Sequence, residues 1–92
     1  MSAGKRRLKS ALALPDLQYI EHLRTTGYGD ITLGRVEDHP CVATAAAEDQ
    51  HLATLVRRKG ESLAQLLVRL DRAIERAYEH QIYTNEVYDK PT

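Results

Sequence analysis

Apolar and polar positions along this chain fall into several short patterns and one long one. The long one is SLAQLLVRLDRAIERAYEHQ, residues 62–81. Within it Leu63, Leu66, Leu67, Leu70, Ile74, Ala77 and Tyr78 recur at steps of three and four, with no Gly or Pro between them. That spacing is the signature of an amphipathic helix. Ser62 followed three residues later by Gln65 forms a capping box at its start. At 1.5 Å per residue, such a helix is ~28 Å long.

Shorter patterns precede it. Pro15 and Asp16 make a helix start, and Leu17, Ile20 and Leu23 carry it to about Arg24, with Gly27 as its stop. Residues 1–14 read as a short basic helix or a frayed arm, because isolated helices of that length are marginal in water. The segment TTGYGDITLGRVEDHP reads two ways. Thr32 as a cap with Leu33 and Val36 one turn apart favours a short helix ending near His39. A strand pairing with residues 20–26, in a hairpin near 20–36, is the alternative. After Pro40, the positions Val42, Ala45, Ala46, Leu52, Ala53 and Val56 trace one helical stripe. Asp49 falls on that stripe, so the helix either breaks near Glu48–Asp49 or carries Asp49 at its edge. Arg57, Arg58 and Lys59 suit its C-terminal end, and Gly60 terminates it.

Composition points the same way. Among 92 residues there are twelve Leu and eleven Ala, no Phe and no Trp, and Leu and Ala are strong helix formers. The expectation is therefore an all-α fold, a compact bundle of three to five helices. It forms one domain over residues 1–92, with ends at 1–14 and 83–92 that either dock or stay loose.

Thirteen basic and thirteen acidic residues cancel, so no global field draws the chain to nucleic acid or to a membrane surface. The apolar runs are too short and too interrupted for a membrane span. Cys41 is the only cysteine, which excludes an internal disulfide and suits a reducing, cytoplasmic setting.

Candidate chemistry is sparse. The glycines of GYGDITLG miss the spacing of a dinucleotide loop, and the run lacks the Lys-Ser or Lys-Thr ending of a nucleotide-phosphate loop. His39 and Cys41 flank a rigid Pro40 and do not converge as base and nucleophile. His22, His39, His51 and His80 show no metal-ligand spacing. Asp71, Glu75 and Glu79 form a carboxylate row at helical spacing, expected to be a solvated flank. No catalytic, cofactor-binding or metal-binding residue is assigned, and the chain is expected not to be an enzyme.

What remains is recognition. On the 62–81 helix Leu63, Leu67, Leu70 and Ile74 define an apolar centre, extended by Tyr78. Arg69, Arg72 and Arg76 gather on one flank and the acidic row on the other. An apolar seam with oppositely charged edges suits an antiparallel neighbour or a second copy of itself, and in a chain of this size its centre is first expected to pack on the chain's own other helices. The leading expectation is a protein-interaction module, acting as a homodimer or by occluding a partner protein. The alternative is a nucleic-acid-binding regulator using Arg57, Arg58, Lys59 and Arg72, since Arg suits bidentate phosphate contacts. Leucines in the first turns of the last helix disfavour it as a base-reading element.

Overall fold

The computed structural model describes residues 16–87. Helix α1 (Gln18–Thr25) leads into strands β1 (Gly29–Val36), β2 (His39–Ala47) and β3 (Gln50–Val56); the long helix α2 (Leu63–His80) and a two-residue strand β4 (Thr84–Asn85) follow. The strands form one sheet in the order β1-β2-β3-β4. The first three make an antiparallel meander, and β4 joins β3 in parallel. The expected basic helix over residues 1–14 lies outside the described residues.

The all-α expectation is therefore wrong. Among the described residues this is an α/β fold of two helices and a four-stranded sheet, not a helical bundle of three to five helices. Two segments account for the error. Residues 40–58 form no helix but most of the β2–β3 hairpin, which turns at residues 48–49. Residues 29–36 form a strand, and it pairs with β2 through Ile31–Ala45 and Leu33–Ala43, not with residues 20–26, which lie largely in α1.

Burial explains why alanine-rich segments become strands. Ala43 pairs with Leu55 and Ala45 with Ala53, and all four lie in one core cluster with Leu23, Leu66, Leu70, Ala73, Ile74 and Ala77. Small side chains on the sheet let the helices lie close to its backbone. The area removed from water there outweighs the few tenths of a kcal/mol per residue by which alanine prefers a helix. Both turns of the meander use Glu-Asp, with Glu37 at φ 55° and Glu48 at φ 44°. Such left-handed values give the twist that two-residue hairpins need.

The long helix forms where its periodicity places it. Ser62 Oγ accepts from the Gln65 backbone N–H at 3.0 Å, and Gln65 Oε1 accepts from the Ser62 N–H at 2.8 Å. Gln81, at φ 55°, closes the other end in the left-handed conformation. Its apolar stripe rests on the chain's own sheet: Leu66, Leu70, Ala73 and Ile74 are fully buried.

The short helix has a less local origin. Its first residue follows Leu17, which offers no side-chain cap. The cap comes from α2: Asp71 Oδ1 accepts the backbone N–H groups of Tyr19 and Ile20, each at 2.9 Å. Gly29, where α1 hands over to β1, sits against Leu23 and 2.7 Å from the Ala46 carbonyl oxygen as measured to an added Cβ. Only glycine lets the strand start this close to the helix.

Candidate functional site

The residues read as a partner-binding face separate into two groups. Leu70 and Ile74 lie fully inside the core, Leu67 is half-buried, and Leu63 keeps 43% of its exposure near the start of α2. Tyr78 is half-buried against the core and meets His22 edge-on, ring centroids 6.0 Å apart. The centre of the seam is thus occupied within the chain.

The arginine flank behaves differently. Arg72 and Arg76, one helical turn apart, join Arg58 around a groove of about 360 Å3 with Leu55, Val68, Arg69 and Glu86. This brings Arg58 and Arg72 of the expected nucleic-acid set together with Arg76 of the partner-binding set. Arg57 is turned to the loop, where its Nε donates to the Glu61 carbonyl at 2.9 Å. Lys59 is exposed in the turn and does not line the groove.

Arg69 supports this groove. Its guanidinium donates to Glu61 Oε2 (2.7 Å) and Oε1 (3.1 Å), to Glu86 Oε2 (2.9 Å) and to the Val56 carbonyl (2.9 Å). Glu61 also accepts from the Arg58 backbone N–H at 2.9 Å, and Glu86 from that of Val56 at 2.8 Å. One side chain thereby ties the β3–α2 loop, the end of β3 and the segment after β4 to the long helix. The Arg69 contacts hold the Glu61 carboxyl down at about 2, and the same bonds push the Arg69 pKa up.

A second feature lies at the opposite side of the sheet. Strand β1 is its first strand, so among the described residues its outer backbone edge pairs with no strand. It runs for eight residues, and most of them are exposed, including Leu33 at 45%. Asp30 lies near one end and Arg35 near the other. Arg24 guards the Asp30 end: its Nη1 donates to the Gly29 carbonyl at 2.7 Å and lies 3.6 Å from Asp30.

The remaining candidates stay apart. His39 lies 3.8 Å from Asp38, and the His51 ring is bonded to Thr54 at 2.8 Å. No group of three or more His, Cys, Asp or Glu among the described residues is placed to share a metal ion. None of the described helices is long and apolar enough to cross a membrane.

The β1 edge is hard to find in the sequence because the spacing there favours a helical turn, and the alternative strand is expected to pair with residues 20–26. The Asp71 cap has no local signal, because the helical row Asp71, Glu75 and Glu79 predicts a solvated flank. The loop and tail glutamates that hold Arg69 lie eight residues before it and seventeen after, spacings that no local pattern announces. Comparison with protein-family models, with curated proteins and with solved structures returns no match.

Proposed function

We propose that this protein is a non-enzymatic interaction module that self-associates by pairing β1 with β1 of a second copy, in a reducing, cytoplasmic setting. The observation that carries this reading is the outer edge of β1, eight residues long, largely exposed and joined to no further strand among the described residues. An edge strand of that length presents unpaired backbone donors and acceptors, a template that soluble proteins ordinarily shorten or cover. A second copy fits it by charge. Antiparallel pairing brings the Asp30 end of one strand to the Arg35 end of the other, twice over by symmetry. Ile31 and Leu33 lie between those ends and supply apolar contact across the join. The lone Cys41 supports the reducing compartment.

The test is light scattering after size exclusion, with amide exchange read along the chain. The expected result is a dimer whose β1 amides gain protection as protein concentration rises. Leu33→Lys, at an exposed position, should give a monomer with an unchanged circular dichroism spectrum. A wild-type monomer at millimolar concentration, or a dimer that survives Leu33→Lys, overturns the reading.

A further inference from the structure

Separately from the strand edge, we infer that the groove between Arg58, Arg72 and Arg76 binds a small phosphate monoester whose organic part is apolar. Charge supplies the first argument. Four arginines line the groove, and two carboxylates, Glu61 and Glu86, stand against them. Arg69 is fully engaged by those carboxylates, and Arg58 lies 3.8 Å from Glu86. The side chains of Arg72 and Arg76 form no ion pair or hydrogen bond among the described residues, and both residues are exposed. The local excess is therefore two positive charges, matching a phosphate monoester near neutral pH. Two guanidinium forks one turn apart on a rigid helix suit its oxygens, since arginine meets phosphate bidentately.

Shape supplies the second argument. The groove encloses about 360 Å3, the lower end of the range for small-molecule sites. Its apolar lining, Leu55 and Val68, accommodates a non-polar body next to the phosphate. A nucleic-acid strand fits less well. Among the described residues no aromatic side chain lines the groove to stack a base, and the chain as a whole carries no net charge to attract a polyanion.

Arg69 acts here as a positioning residue. Held by Glu61, Glu86 and the Val56 carbonyl, it bounds the groove and leaves the guanidiniums of Arg72 and Arg76 to turn to a ligand.

The experiment is an amide-resolved NMR titration of the full chain with phenyl phosphate, inorganic phosphate, phenol and a short single-stranded oligonucleotide. Phenyl phosphate is expected to bind most tightly, shifting amides of Arg58, Val68, Arg72 and Arg76. The double variant Arg72→Gln/Arg76→Gln, at exposed positions, should weaken it at least about tenfold, the loss of one charge-assisted contact or more, with the remaining spectrum unchanged. Arg57→Gln, outside the groove, should leave affinity unaltered. Absence of shifts, binding that ignores the double variant, or phenyl phosphate binding no tighter than inorganic phosphate or phenol each overturns the assignment. Tighter binding of the oligonucleotide, weakening steeply with salt, overturns it in favour of a nucleic-acid surface.

Discussion

Arg69 grips Glu61 by two near-parallel contacts, Nε to Oε2 at 2.7 Å and Nη2 to Oε1 at 3.1 Å, and the glutamate side chain retains only 9% of its exposure. The pair spans the loop that joins sheet to long helix, so the join is held by charge as well as by packing. Such a two-pronged, largely covered pair is stronger than the exposed ion pairs common on protein surfaces.

That pair should give the protein an acid-side stability profile. The Glu61 carboxyl titrates at about 2 in the folded chain against 4.5 when free. A depressed folded-state value means that the pair's stabilisation is fully present above about pH 4.5 and is lost as pH falls toward 2. Thermal melts across that window should show the decline, and Glu61→Gln should flatten its share of it. At neutral pH, Glu61→Ala should cost about 2 kcal/mol, as for a hydrogen bond between charged groups.

Asp71→Ala should destabilise the fold by about 1 kcal/mol, in the range for loss of a helix cap, and the damage should be local to α1. Amide exchange provides the check: Tyr19, Ile20 and the rest of Gln18–Thr25 should exchange faster while α2 keeps its protection. Equal loss of protection in both helices would show that Asp71 does something other than cap.

Glu48 occupies the left-handed region at φ 44° in the β2–β3 turn, a conformation costing a residue with an ordinary side chain about 1 kcal/mol. Asparagine and glycine adopt it with less strain. Glu48→Asn is expected to raise the melting temperature by a few degrees, consistent with about 4–8 °C per kcal/mol in a domain of this size. A lower melting temperature would mean that the glutamate contributes more than its backbone strain removes.

How much of this was legible beforehand depended on whether the information was local. The long helix was, because its period, its Ser62–Gln65 box and its freedom from Gly and Pro agree over eighteen residues. The short helix was too, to within a turn. The sheet was not, for a physical reason. Val42, Ala45, Ala46, Leu52, Ala53 and Val56 satisfy a helical stripe, and alanine's intrinsic preference adds to that impression. Ala43, Ala45 and Ala53 become strand residues only because two helices cover them, a tertiary effect. A weaker clue was present. Glu-Asp occurs twice, at 37–38 and 48–49, eleven residues apart, the spacing of successive turns in a meander.

The candidate sites divide along the same line. The arginine flank could be drawn from the helix period alone, and Arg72 and Arg76 do share a groove. Its far wall, Leu55 and Glu86, arrives from β3 and from the segment after β4. The β1 edge depends on strand order, which a single helix wheel cannot reveal.

The carboxylate that organises the first helix is supplied by a residue 52 positions downstream of the amide it receives. During synthesis, then, the leading segment emerges from the ribosome long before its organiser exists, and an isolated eight-residue helix does not persist in water. The chain must therefore be made through Asp71 before α1 can settle. A nascent chain arrested before Asp71 should lack ordered structure at Gln18–Thr25, whatever length of sheet sequence has already appeared.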